Sequence, residues 1–154
     1  MRRVAPLLVT LAALGLTVGA ASAARAEFDV ASTLTWQQVV PRPAHPVKGA
    51  GGSLSGDLDH QLRKLNWKLV YRGLSGLATR AEIHVGKLGQ RGPLLLALCG
   101  PKVARARLCR SGLQGTKIVS KTAVLTLEAG NTYMQLYTRR NPAGESRGQI
   151  LIKR

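Results

Sequence analysis

Aromatic residues are scarce in this chain: one Phe, two Trp and three Tyr among 154 residues. A membrane-spanning β-barrel needs aromatic girdles around an outward apolar band, so the scarcity excludes that architecture. Cysteine is equally sparse. Cys99 and Cys109 cannot by themselves fill a four-ligand zinc site, and they lack the C-x-x-C spacing of a catalytic dithiol. Only His45, His60 and His84 offer imidazoles, and acidic side chains number 7 against 23 Lys and Arg. Beyond the N-terminal segment there is no long apolar run, so no transmembrane segment is expected in the mature chain.

What is present begins with an export signal. Met1-Arg2-Arg3 is a short positive region, Val4 to Gly19 is apolar and uncharged, and two A-x-A sites follow at Ala21-Ser22-Ala23 and Ala24-Arg25-Ala26. That order is the secretory signal-peptide pattern. The apolar run falls short of the roughly 20 residues of a spanning helix. No cysteine follows it to carry a lipid. The reading is a signal peptide over 1–26, cleaved near Ala23 or Ala26, and one domain over 27–154, periplasmic or secreted. Removing Arg2, Arg3 and Arg25 from the 23 basic residues leaves 20 against 7 acidic ones, a net charge of +13. Such an excess attracts polyanions. The expected partners are an anionic envelope polymer, a lipid headgroup or an acidic protein, and export argues against nucleic acid. An oxidising compartment makes a Cys99–Cys109 disulfide the default, worth up to ~3 kcal/mol by loop entropy.

Strand signals dominate the mature chain. Phe28 to Val40 is rich in Val, Thr and Trp and stops at Pro41, and a Pro/Gly loop runs to Gly52. Ser53 to Asp59 is a second predicted strand. In the third, Leu65, Trp67, Leu69 and Tyr71 alternate with Asn66 and Lys68, the period-two pattern of a half-buried strand. Ala81, Ile83 and Val85 then oppose Glu82 and His84 in a strand over Arg80–Val85. Pro93–Cys99, Gly115–Ser120, Thr132–Arg139 and Gln149–Lys153 follow, with Thr122–Ala129 open between strand and helical turn and Asn141-Pro142-Ala143-Gly144 as a turn. Short strands at regular spacing predict an all-β sandwich or closed barrel, a single domain.

Two motifs carry a family resemblance. One is Tyr71-Arg72-Gly73-Leu74-Ser75-Gly76 with Ala81-Glu82-Ile83-His84-Val85-Gly86 and Gly92-Pro93-Leu94-Leu95-Leu96; the other is Asn141-Pro142-Ala143-Gly144-Glu145-Ser146-Arg147-Gly148-Gln149. The mature chain, from about Phe28 to Ile152, resembles the CHRD domain, the module named after chordin. The resemblance implies an immunoglobulin-like Greek-key sandwich or barrel and no established catalytic activity or cofactor. Two positions depart from the family pattern. Glu82 replaces the first His of A-H-I-H, and Tyr137 stands where the family often has His.

Glu82 and His84, two apart on one strand, face the same side. They are candidate metal ligands, as His-x-His pairs are in copper–zinc superoxide dismutases, although zinc takes three or four ligands. A metal-dependent, dismutase-like enzyme is therefore the alternative function, and a structural envelope component a third. Glu145 and Arg147 also share a face and are expected to form an ion pair pinning the last strand, with Asn141, Pro142, Gly144 and Gly148 as structural motif residues. Ser75 lacks a G-x-S-x-G elbow, and Gly86–Gly92 lacks the G-K-[ST] ending of a phosphate loop. The leading reading is a non-enzymatic binding module with no cofactor. Lys102, Arg105, Arg107 and Arg110, on and beside the disulfide loop, contact an anionic partner, and Arg139 and Arg140 form a second basic pair.

Overall fold

A computed structural model describes residues 27–103 and 108–154. The expected signal peptide over 1–26, and Arg105 and Arg107, lie outside the described residues. Eight strands form one antiparallel sheet: β1 (Glu27–Thr35), β2 (Gly51–Asp59), β3 (Lys64–Arg72), β4 (Arg80–Val85), β5 (Leu94–Cys99), β6 (Leu113–Ile118), β7 (Thr132–Tyr137) and β8 (Ser146–Lys153). Their spatial order is β5-β4-β7-β8-β1-β2-β3-β6. The connections β3–β4 and β5–β6 each join strands from opposite halves of that order, which curls the sheet into a barrel. Across the gap between the edge strands, the Lys117 ammonium on β6 donates to the Ala97 carbonyl on β5 at 3.2 Å. Of the two expected architectures, a sandwich or a barrel, the continuous sheet is the barrel-like one.

Period-two alternation decides which side chains fill the interior. Leu65, Trp67 and Leu69 of β3 are buried, as are Ala81 and Ile83 of β4. They meet Val30 and Leu34 of β1, Leu54 and Leu58 of β2, Met134 and Leu136 of β7 and Ile150 of β8 in one core cluster. Burying each Leu or Ile contributes about 1.5–3 kcal/mol. The segment left open between strand and helix is a helix, α1 (Lys121–Glu128). The Ser120 side chain accepts from the Ala123 N–H at 3.1 Å and caps its start. Ala123, Val124 and Leu127 are its buried residues; Val124 and Leu127, three apart, lie on one helical face. No helix among the described residues is long and apolar enough to cross a membrane.

Several strand boundaries differ from the sequence reading: β6 is Leu113–Ile118 rather than Gly115–Ser120, and β7 ends at Tyr137 rather than Arg139. β1 ends at Thr35, not Val40, because Trp36–Gln38 turn in a short 3-10 helix closed by the Val39 N–H on the Trp36 carbonyl. β2 starts at Gly51 rather than Ser53. A side chain at Gly52 would strike the Val70 carbonyl and the Tyr71 backbone, so the glycine marks close strand approach rather than a loop. β8 begins at Ser146, three residues earlier than expected, which places Ser146, Arg147 and Gly148 inside the sheet.

Candidate functional site

The alternation that sends Ala81 and Ile83 inward turns Arg80, Glu82 and His84 to the outer face of β4. Antiparallel pairing with β7 sets Arg80 opposite Tyr137, Glu82 opposite Gln135, and His84 opposite Tyr133. Pairing of β7 with β8 continues the rows, with Gln135 opposite Arg147 and Tyr133 opposite Gln149. The result is a polar outer face across three strands. It is nonetheless buried: Glu82 is 2% exposed, Gln135 4% and Arg147 0%.

Loops roof this face and satisfy much of it. The Gly86 carbonyl accepts from Gln149 Nε2 at 2.8 Å, and the Lys87 carbonyl from Arg147 Nη2 at 3.0 Å. On the other side, the Pro142 carbonyl accepts from Arg80 Nη2 and the Ala143 carbonyl from Gln135 Nε2, both at 2.8 Å. Asn141 clamps the Pro-rich loop to this turn, with its side chain accepting from the His45 N–H and donating to the His45 carbonyl, each at 3.0 Å. Gly144 closes the turn at φ +128°, where a β-carbon would also collide with the Gln135 amide.

At the centre, the His84 Nε2 lies 3.2 Å from Glu82 Oε2 and 2.9 Å from the Tyr137 hydroxyl. The expected Glu82–His84 adjacency is therefore present. His84 Nδ1 faces the Gly92 carbonyl at 3.1 Å. A carbonyl only accepts, so Nδ1 carries a proton. Burial, reinforced by the Glu82 carboxylate, pushes the Tyr137 hydroxyl well above its ordinary range. Tyr137 therefore stays protonated and is a donor. The His84 ring stacks on Tyr133 with centroids 5.3 Å apart, and the Arg147 guanidinium lies 3.5 Å from the centroid of the same ring. Arg80 sits over Tyr137 at 3.9 Å.

Lys102 from the disulfide loop completes the arrangement, with its ammonium 3.2 Å from Glu82 Oε1. The Arg80 Nε is 4.0 Å from Oε2 of the same carboxylate. Glu82, His84, Tyr133, Tyr137, Arg80, Arg91 and Lys102 border a cavity of about 220 Å³. Its single carboxylate faces three cationic side chains. Among the described residues, no group of three His, Cys, Asp or Glu gathers to hold a metal ion. The third donor near His84 is the Tyr137 oxygen.

The sequence-predicted residues are thus partly assembled. Cys99 and Cys109 form the expected disulfide, with Cα atoms 5.3 Å apart. Of the loop cations, Lys102 is exposed but reaches the Glu82 carboxylate, while Arg110 is exposed and does not line the cavity. The expected Glu145–Arg147 ion pair does not form. Glu145 precedes β8, in the turn, and its carboxylate points to the Gly73–Gly76 loop. There it accepts from the Ser75 N–H at 2.5 Å, from the Ser75 hydroxyl at 2.6 Å and from the Thr138 hydroxyl. Arg147, within the strand, stacks on Tyr133 instead. Sequence reasoning missed Arg80, Tyr133 and Gln135. Their parity with Glu82 and His84 was visible in the alternation of β4 and β7, but the register joining the two strands was not.

The family model of the CHRD domain matches residues 30–150, most of the chain. Comparison with curated proteins and with solved structures gives no match. Both motifs fall in the matched segment, one on β3, β4 and the start of β5 with their loops, the other on the turn and strand that roof and carry the polar face. This chain belongs to the CHRD domain family.

Proposed function

We propose that this protein is an exported, non-enzymatic binding module that engages an anionic partner through the cavity beside Glu82 and the basic disulfide loop. The observation that carries this reading is the excess of positive charge in a concave site: Arg80, Arg91 and Lys102 around one buried carboxylate. Low-dielectric walls strengthen the field of such a cluster. Lys102 belongs to both the cavity and the Cys99–Cys109 loop, which supports treating the loop cations and the cavity as parts of one binding region. The proposed location is the periplasm or the exterior, and a signal peptide over 1–26 delivers the chain there.

Heparin serves as the probe polyanion. Replacing Lys102, Arg105, Arg107 and Arg110 by Gln should weaken heparin affinity about tenfold at ~0.15 M salt, and adding Arg80→Gln and Arg91→Gln should weaken it further. Affinity that is insensitive to salt and to all six substitutions would overturn the proposal.

The competing reading is a metal-dependent, dismutase-like enzyme. The Tyr137 oxygen favours it by adding a donor 2.9 Å from His84 Nε2. Against it, Lys102 already supplies the cation beside Glu82, and Tyr137 holds its proton. The expected result is less than stoichiometric copper or zinc in mature protein purified from its export compartment. A full equivalent that is lost in His84→Ala would replace the binding reading with the enzymatic one.

A further inference from the structure

A second concavity, of about 630 Å³, shares no lining residue with the cavity beside Glu82. Its lining includes Leu77, Ala78, Pro101 and Leu108, Cys109 of the disulfide, and Arg139 and Arg140. Its volume is within the range of about 300–1,000 Å³ usual for small-molecule sites. Among the described residues, no Asp or Glu lines it. Leu77 and Leu108 are 73% and 66% exposed, so two leucines stand in water on a groove whose charged lining residues, among those described, are Arg139 and Arg140.

The groove is built rather than incidental. The Cys99–Cys109 disulfide and the bridge pairing Ala78 with Cys109 fix one wall. Glu145 fixes the other by holding Ser75 and Thr138. A preformed site avoids the ordering cost of binding. Part of its backbone is already paired: the Ser75 N–H bonds Glu145, the Thr79 N–H bonds the Tyr137 carbonyl at 2.7 Å, and the Cys109 carbonyl accepts from the Tyr71 hydroxyl at 2.6 Å. An extended peptide needs such groups free to pair its own backbone. A hydrocarbon chain needs none of them.

From these observations we infer that the groove binds a single-chain acyl anion, with the chain against Leu77, Pro101 and Leu108 and the acidic head on Arg139 and Arg140. This site is independent of the cavity beside Glu82.

The test uses the mature, disulfide-intact protein and dodecanoate below its micellar concentration, followed by calorimetry. Saturable binding of one dodecanoate per chain is expected. Leu77→Asp, at an exposed position, should weaken it about tenfold or more while leaving the melting temperature unchanged. Arg139→Gln with Arg140→Gln should weaken dodecanoate but not dodecanol. Arg80→Gln with Arg91→Gln should leave dodecanoate binding unchanged, which separates this site from the one proposed above. The inference is overturned if acetate competes as well as dodecanoate, if Leu77→Asp binds like the parent, or if binding appears only above the micellar concentration. It is equally overturned if only phosphatidylglycerol vesicles bind, which assigns the face to a membrane surface. Loss of a concentration-dependent dimer in Leu77→Asp, without dodecanoate binding, would assign it to a second copy of the chain.

Discussion

Glu145→Ala should lower the melting temperature by about 10–20 °C, the largest effect expected of any single substitution in this protein. Its carboxylate is 0% exposed and gathers the Ser75 N–H, the Ser75 hydroxyl and the Thr138 hydroxyl. Hydrogen bonds to a charged acceptor contribute about 1.5–3 kcal/mol each, and truncation leaves the donors unpaired. A net loss of about 3–5 kcal/mol follows. The pH dependence has a definite sign. Burial alone raises the Glu145 carboxyl, but the bonds from Ser75, Thr138 and Asn141 outweigh it and hold the group below its ordinary value of 4.5. A carboxyl depressed in the folded state stabilises fully above the unfolded value and loses that contribution as pH falls through the folded one. The melting-temperature gap between the parent and Glu145→Gln should therefore be constant above about pH 5 and narrow below 4.5. A gap that persists unchanged to about pH 3 would show that the charge of Glu145 is not what holds the Gly73–Gly76 loop.

Arg147→Ala should cost about 2–4 kcal/mol, seen as a melting temperature lower by about 10 °C. The guanidinium is fully buried, its Nη2 donates to the Lys87 carbonyl, and it lies 3.5 Å from the Tyr133 ring centroid. A desolvated cation–π contact contributes about 2 kcal/mol and a charged hydrogen bond about 1.5–3 kcal/mol. Opposing them, Nε and Nη1 find no acceptor among the described residues, and burial pulls the guanidinium below its ordinary pKa. Arg147→Met separates the two contributions because it keeps volume and removes charge. A Met variant nearly as stable as the parent would show that packing against Tyr133, not charge, retains the barrel's outer layer. An unchanged melting temperature in Arg147→Ala would remove the structural role altogether.

Much of the fold was legible in the chain because alternation is local. Leu65, Trp67 and Leu69 against Asn66 and Lys68, and Ala81 and Ile83 against Glu82 and His84, each declare which face is inward from a handful of neighbours. The same rule put Glu82 and His84 on one side, and the expectation of an oxidising compartment paired Cys99 with Cys109, as the structure does. Glycine misled the reading at β2, because Gly51 and Gly52 serve close strand approach there. The proximity of Glu145 and Arg147 in sequence also suggested an ion pair, where Glu145 instead meets Ser75 and Thr138 and Arg147 meets Tyr133 on the adjacent strand.

What the sequence by itself determined is the class of molecule: an all-β domain of high positive charge, with one disulfide, a core of alternating aliphatic residues and the motifs of its family. What only the tertiary structure decided is the company each polar residue keeps. Tyr137 meets His84 across 53 positions, Lys102 reaches Glu82 from the disulfide loop, and Glu145 holds Ser75 across 70 positions. These pairings depend on strand order and register, which arise from closing the whole barrel around its core. No window of neighbouring residues contains that information.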